Sequence, residues 1–236
     1  MKHIFFLPLF SLALLPLLTA QETSEEDALF IRRIYDKALT EAECYHWLEH
    51  LSEEIGGRLA GSPQAAAAVE YTRQVMEEIG MDTVWLQPCM VPHWVRGEVE
   101  EGRIVNSRQM GTVPLSVTAL GNSVGTGPEG IVAEVVEVQT LDEVDERGED
   151  LRGKIVFFNR PMDPRQIRTF NAYGGAVDQR TRGAARAARY GAAAALVRSM
   201  TTEIDDVPHT GVTVYEEGGE RIPAISVSTQ DAELLS

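Results

Sequence analysis

The chain has 236 residues, of which 44% are hydrophobic, and its formal net charge is −15. This length allows one large domain or two small ones. Because nucleic acids and anionic membranes both attract positive charge, so acidic a chain argues against either as a partner.

The first twenty residues have the pattern of a secretory signal peptide. Lys2 gives a positive start, an apolar run covers Ile4 to Leu18, and Ala20 supplies the small residue that cleavage requires. The run is short for a membrane span, and Pro8 and Pro16 interrupt it. We therefore expect cleavage after Ala20 and a secreted or periplasmic mature protein that is not attached to the membrane.

Only two cysteines are present, Cys44 and Cys89. In an oxidising compartment they could form a disulfide. Two free thiols fit the sequence as well, and neither cysteine has a C-x-x-C partner for metal or redox chemistry. Both alternatives stay open at this stage.

Hydrophobic spacing predicts helices in the first part of the chain. One helix is expected over Leu29–Leu39. A second is expected to begin at Thr40, because Glu43 lies three residues later and completes a capping box. The apolar stripe of this second helix consists of Cys44, Leu48, Leu51 and Ile55.

The stretch Ile55–Pro88 predicts a turn, a helix and a strand. Ser62 is a good N-cap and Pro63 fits the first helical position. Gly80 lies where a left-handed C-cap residue is favoured. Alternating side chains then indicate a strand over Thr83–Leu86, and this order of elements is typical of an α/β layer. The apolar face of the helix consists of Ala65, Ala68, Thr72, Val75, Met76 and Ile79.

The composition changes near Pro92–Glu98, where we expect a domain boundary. A short alanine-rich helix is predicted over Arg180–Tyr190, closed by Gly191. Segments rich in valine and isoleucine and bounded by glycine or proline predict strands in the same part of the chain. These segments are Val113–Leu120, Ile131–Gln139, Lys154–Asn159, Ala193–Arg198 and Ala224–Ser228.

Residues 46–50 match H-x-x-E-H, a motif in which two histidines one helical turn apart bind zinc. His46, Glu49 and His50 share one face of the predicted helix, opposite its apolar stripe, and Glu53 continues that face. A short match without a third ligand is weak evidence. We interpret these residues as a solvated helix surface and assign no zinc site to them.

The segment Gly125–Gly130 spells G-x-G-x-x-G. A dinucleotide site needs a helix directly after this motif, so that the helix N-terminus meets the pyrophosphate. Here the β-branched segment Ile131–Gln139 follows. The glycines and Pro128 therefore indicate a turn between two strands.

Other polar residues offer weaker candidates. A histidine in a loop can act as a ligand or proton shuttle, and Asp205 and Asp206 could complete a site with His209. His93 lies in a second proline-containing loop. Three arginines on one side of the alanine-rich helix could bind an anion, but such a row is usually the solvated face. These are Arg182, Arg186 and Arg189.

Several long segments of the sequence, taken in order, resemble segments of a known protein family. They are IGGRLAGS, VPHWVRGE, ALGNSVGTGPEGIVAEV, LRGKIVFFNRP, RTRGAARAARYGAAAALVRS, PHTG and IPAISVSTQDAELLS. The chain resembles the N-terminal half of the carboxypeptidase Q (plasma glutamate carboxypeptidase) family of secreted two-zinc exopeptidases. The resemblance covers nearly everything after residue 20.

The resemblance implies an α/β fold with two regions. Residues 21–97 would be the first, incomplete part of the peptidase α/β domain, with its opening helices and first strand. Residues 98–236 would be a protease-associated (PA) domain, a β-rich insertion with short helices. The family's zinc ligands and catalytic glutamate lie beyond this insertion, beginning with an H-x-D sequence at the end of a strand.

No position of this chain matches one of those residues, so we assign no catalytic residue and no metal ligand, and the substrate-binding residues stay unidentified. In the family, a water shared between two zinc ions attacks the peptide carbonyl and a carboxylate acts as base. This chain by itself is therefore expected to bind no zinc and to be inactive.

The sequence supports two alternative hypotheses for the function, one of an enzyme and one of a binding module. The first is a metallo-exopeptidase acting on small peptides, of which this chain is the N-terminal portion. The second is a non-catalytic, exported PA-type module that binds a peptide or a protein. The first is favoured, because a free binding module would not need residues 25–88.

Overall fold

The structure is a computed structural model that describes residues 24–41 and 43–236. The predicted signal peptide lies outside these residues. None of the described helices is both long and apolar enough to cross a membrane. The chain divides into two compact units. The first unit comprises the residues up to Arg58 and Gln64–Trp85, and the second comprises Leu59–Pro63 and Leu86–Ser236.

The described part of the first unit is helical. It contains α1 (Glu25–Glu41), α2 (Glu43–Glu49), a π-helical segment (His50–Ile55) and α3 (Pro63–Glu78). None of these four elements has a buried residue. The predicted apolar face of α3 is at most half-buried, and Met76 and Ile79 are each 49% exposed.

The transition between the first two helices differs from the prediction. Helix α1 continues through Thr40, whose hydroxyl donates a hydrogen bond to the Asp36 carbonyl at 2.7 Å. A threonine that bonds back to the preceding turn is not available to cap the next helix. The predicted capping box between Thr40 and Glu43 is therefore wrong.

Both predicted ends of α3 are confirmed. The helix begins at Pro63, and Gly80 has a φ of 81°. The Gly80 N–H donates to the Glu77 carbonyl at 3.1 Å, and the Met81 N–H donates to the Met76 carbonyl at 3.2 Å. These two bonds form a Schellman motif, which requires the left-handed conformation that glycine adopts at little cost.

The strand predicted over Thr83–Leu86 is not formed. A strand exists through hydrogen bonds to a neighbouring strand. None of the described residues pairs with this segment, and Trp85 and Leu86 are 72% and 54% exposed. Alternating side chains alone do not make a strand.

The second unit contains two sheets. Strands β1 (Gly102–Ser107) and β2 (Gly111–Leu115) form an antiparallel hairpin. The larger sheet has the strand order β3-β7-β6-β5-β4, in which only β3 is antiparallel to its neighbour. Its strands are β3 (Val117–Ala119), β4 (Val135–Val138), β5 (Ile155–Phe158), β6 (Ala194–Arg198) and β7 (Ala224–Val227).

Each of the five predicted strand segments contains a strand, but Val113–Leu120 contains parts of two. The break lies at Ser116, whose N–H donates to the Asp231 carboxylate at 2.6 Å. This bond takes the Ser116 amide out of any ladder, so β2 and β3 join different sheets. The hairpin strand β1 lies outside these five segments.

Helices connect or follow the parallel strands. The predicted helix over Arg180–Tyr190 is α6, which begins three residues earlier than predicted. The elements are α4 (Leu141–Arg147), a 3₁₀ turn (Gly148–Leu151), α5 (Thr169–Gly174), α6 (Val177–Ala188) and α7 (Thr229–Leu235). Strands alternating with helices on a mostly parallel sheet confirm the α/β class.

The core lies on both faces of the larger sheet. Successive residues of a strand point to opposite faces. Accordingly, Phe158 packs in a cluster with residues of α4 and α6, whereas Phe157 packs on the other face with Ala232 of α7. Both phenylalanines are fully buried. A Cβ at Gly183 of α6 would lie 2.9 Å from the Phe158 ring, so glycine is what allows this close approach.

Candidate functional site

The two histidines of the H-x-x-E-H segment have different surroundings. The side chain of His46 is 64% exposed, and its Nδ1 lies 3.5 Å from a Glu49 carboxylate oxygen. The His50 ring instead lies against the Tyr71 ring, with 4.1 Å between centroids. Among residues 24–41 and 43–236, no cluster of three or more His, Cys, Asp or Glu side chains is placed to hold a metal ion.

The glycine motif forms a turn, as predicted. Gly127 and Gly130 have φ values of 74° and 67°, and the Gly130 N–H donates to the Gly127 carbonyl at 3.3 Å. The chain then runs into strand β4 rather than into a helix. The geometry that a dinucleotide pyrophosphate needs is therefore not present at this motif.

The loop histidine His209 does not meet the two aspartates. Its Nδ1 lies 3.4 Å from the Met200 carbonyl oxygen, and its backbone N–H donates to the Ser199 hydroxyl at 2.8 Å. The Asp205 carboxylate accepts from the Val207 N–H at 3.0 Å, which forms a local turn. The site suggested for these residues in the sequence analysis is thus not assembled within the described part of the chain.

Two arginines of the predicted row form ion pairs. Arg186 lies 2.7 Å from the Asp145 carboxylate, and Arg189 pairs with Glu216. The hydrogen bond from Arg189 lowers the pKa of Glu216. Arg182 is exposed. These pairs attach α6 to α4 and to the loop before β7, so the row has a structural role.

The remaining candidates from the sequence, a histidine and the two cysteines, lie at the surface. His93 is exposed, and a Cβ at Gly61 would lie 3.1 Å from the His93 Cβ. Cys44 and Cys89 are exposed and unpaired.

The string VPHWVRGE fastens the start of the second unit to strand β3. The Trp94 Nε1–H donates to the Ser123 carbonyl at 2.9 Å, and the Arg96 guanidinium lies over the Trp94 ring at 5.1 Å. Arg96 also donates to the Ala119 carbonyl at 3.2 Å and pairs with Glu100. The aromatic and charged residues of this string therefore anchor the chain where it enters the sheet.

Polar residues at the carboxyl ends of the parallel strands form a network that the sequence analysis missed. Arg198 is 5% exposed, donates to the Asn159 side-chain oxygen at 3.1 Å and lies 2.7 Å from the Glu233 carboxylate. The Asn159 amide donates to the Glu137 carboxylate at 2.8 Å. Their position in the sequence could have indicated them, because Asn159 directly follows an apolar strand and Arg198 ends another.

A second buried arginine was also missed. Arg180 lies in the first turns of α6 and is 9% exposed. One of its nitrogens, Nη2, donates to the Tyr173 hydroxyl, and Nε has no hydrogen-bond partner. The spacing Arg180–Ala184–Ala187 puts it on the apolar face of α6, which is the signal that could have singled it out.

Comparison with known proteins adds the decisive information. No family model matches the chain. Carboxypeptidase Q of Bos taurus is 37% identical to it over 203 residues, and that of Homo sapiens is 36% identical over the same length. Each match covers 86% of this chain and 40% of the relative. The chain is therefore similar to carboxypeptidase Q over most of its own length. It spans about two-fifths of the length of these curated relatives.

The chain is also similar to a solved structure. A peptidase M28 precursor from Shewanella amazonensis SB2B is 35% identical and superposes with a TM-score of 0.79. The superposition covers 88% of this chain and 46% of that protein. Because the second unit has 156 residues, the 203-residue carboxypeptidase Q match extends at least 47 residues into the first unit. The homology therefore includes both units.

Proposed function

We propose that the chain is the N-terminal portion of an exported, zinc-dependent exopeptidase of the carboxypeptidase Q type, which hydrolyses peptide bonds of small peptides. The observation that carries this proposal is the match to carboxypeptidase Q across both units. We assign residues 21–97 to the peptidase domain and residues 98–236 to an inserted PA domain. Export rests on the signal-peptide pattern of residues 1–20.

The residues that the structure describes do not fit a two-zinc centre. His46 lies beside Glu49 and His50 lies against Tyr71, and the described residues include no group of three or more His, Cys, Asp or Glu side chains placed to hold a metal ion. We place the zinc ligands and the catalytic glutamate in the part of the relatives that this chain does not cover. The chain's own contribution is a scaffold, and no step of the hydrolysis is assigned to its residues.

The gene offers a direct test. If the proposal is right, the reading frame after codon 236 continues into alternating strands and helices, with an H-x-D sequence early and a Glu-Glu pair further on. A stop codon directly after Ser236, with no such sequence downstream in any frame, would contradict the peptidase function. It would favour the alternative, a non-catalytic PA-type binding module, which the self-contained core of the second unit also supports.

The purified chain offers a second test. We expect it to hold no stoichiometric zinc after dialysis and to hydrolyse no dipeptide, as measured by elemental analysis and a ninhydrin assay. The variant His46→Ala is the control for the one motif with zinc spacing. A tightly held zinc ion that is lost in His46→Ala would contradict our proposal that the zinc ligands lie in the part of the relatives that this chain does not cover.

A further inference from the structure

Arg180 is a buried cation without a carboxylate partner. It is 9% exposed, and no carboxylate among residues 24–41 and 43–236 lies within ion-pair distance of it. Other enclosed arginines of the second unit are paired, Arg160 with Asp178 and Arg198 with Glu233. Burying a charge is costly unless it is paired, so this exception needs an explanation.

The guanidinium of Arg180 is nevertheless held in a defined position. Its Cζ lies 5.4 Å from the centroid of the Tyr173 ring, and Nη2 donates to the Tyr173 hydroxyl. On another side is the backbone of Gly211, where a Cβ would lie 2.4 Å from Cζ and 2.8 Å from Nη1. Nε is enclosed and has no partner. The group is thus oriented by neutral contacts while its charge is not balanced.

The surroundings of Arg180 lie where ligands bind in α/β layers. Its helix follows β5, and Tyr173 packs with Met162 and Met200, which come after the carboxyl ends of β5 and β6. Ligands of open α/β sheets bind outside the carboxyl ends of the strands. The loop that carries Gly211 also follows β6.

We propose that Arg180 is the anchor of a binding site for the carboxylate of a small organic ligand. A guanidinium matches a carboxylate in shape and charge and donates parallel hydrogen bonds to it. The ligand's negative charge would balance the buried cation, with Nη1 as a donor that makes no hydrogen bond within the described residues. This inference does not rest on the proposed peptidase function, since a binding module would use the site equally.

The test is an NMR titration of the purified chain, labelled with ¹⁵N, at constant ionic strength. The probe is N-acetylglycine, and its amide, N-acetylglycinamide, is the uncharged control. We expect saturable shifts of the Arg180 Nε–H and Gly211 amide signals with the acid and none with the amide. Equal shifts with both compounds, or no shift with the acid, would overturn the proposal without the need for any variant.

Two variants test the role of Arg180 itself. Arg180→Met removes the charge and is expected to abolish the shifts of the Gly211 amide. The matched control is Arg182→Met, which removes the same charge from an exposed position of the same helix and should keep them. Binding that survives in Arg180→Met, or that is lost equally in both variants, would contradict the site.

A stability measurement separates ligand binding from a purely structural role. Replacing an unpaired buried charge by an apolar side chain is expected to leave stability unchanged or to raise it. Arg180→Met should therefore melt no lower than the wild type without ligand, and a large fall in Tm would show that the arginine serves the fold. If that variant does not fold, Gly211→Ala keeps the charge but displaces the guanidinium, and it should weaken binding at least about tenfold.

Discussion

The two units differ in the sequence range of their ion pairs and in the burial of their side chains. In the first unit, the ion pairs join residues three or four positions apart, and no described helix has a buried residue. The second unit has short-range pairs too, such as Arg96–Glu100, but it also has pairs that span 18 to 41 positions, as in Arg160–Asp178 and Arg186–Asp145, and both faces of a sheet are covered. The described helices of the first unit therefore bury no residues, whereas the second unit has a core of its own.

This contrast has a physical consequence. Short-range pairs stabilise a helix only by a few tenths of a kcal/mol, about 0.2–0.5 each, and an isolated helix is marginal in water. Burial of a large apolar side chain contributes about 1.5–3 kcal/mol. Stability should thus be concentrated in the second unit. The exposed apolar residues of the first unit, such as Phe30 and Ile34, would then need further packing partners.

The largest contrast should appear when one phenylalanine is truncated in each unit. Phe158 is fully buried between the sheet and α6, whereas Phe30 of α1 is 57% exposed. We expect Phe158→Ala to lower the free energy of unfolding by about 3–5 kcal/mol. Phe30→Ala should change it by no more than about 0.5 kcal/mol. Urea denaturation measures both, and similar losses for the two variants would mean that the units do not differ.

A smaller effect is expected from overpacking at Gly183. Alanine favours a helix over glycine by about 1 kcal/mol, but its Cβ would lie 2.9 Å from the buried Phe158 ring. Since the ring is fully buried, we expect Gly183→Ala to destabilise the second unit by about 1–3 kcal/mol. Gly57→Ala is the control, because nothing lies within 4 Å of a Cβ there. A more stable Gly183→Ala would show that this core is loosely packed.

The smallest effect concerns a local ion pair of the first unit. The side-chain hydrogen bond from Arg73 lowers the pKa of Glu70 to about 2. A carboxylate with a lowered pKa in the helix stabilises it above the unfolded pKa of about 4.3, and this contribution is lost as the pH falls through the folded value. Carboxyl NMR titration should give a Glu70 pKa well below that of the Arg73→Met variant. An equal Glu70 pKa in the wild type and in Arg73→Met would show that this ion pair contributes nothing to stability.

Much of the second unit could be predicted from sequence, because its signals are local. Short runs such as IVFF and AALVR are bounded by turn residues, and the strands appear where these runs lie. The ends of α3 were also predictable, since Pro63 and Gly80 act on the backbone of their own turn. Local backbone chemistry needs no knowledge of the remaining fold.

The failures concern contacts between distant residues. The strand over Thr83–Leu86 needs a partner that its own sequence does not specify. The break at Ser116 depends on Asp231, which lies 115 residues away. The buried arginines Arg180 and Arg198 owe their position to packing of α6 and α7 on the sheet. A short window of sequence can place such a residue on an apolar face or at a strand end, but it does not identify the distant partner.

Limited proteolysis tests the contrast between the units most directly. The purified chain is digested with a low concentration of subtilisin, and the surviving fragment is identified by mass spectrometry. We expect the residues before about Leu86 to be removed first, leaving a resistant fragment that contains strands β3 to β7 and helix α7, because sites in helices without a core open at low cost. A resistant fragment that retains α1 and α3, or cleavage within the sheet of the second unit at an equal rate, would contradict the account.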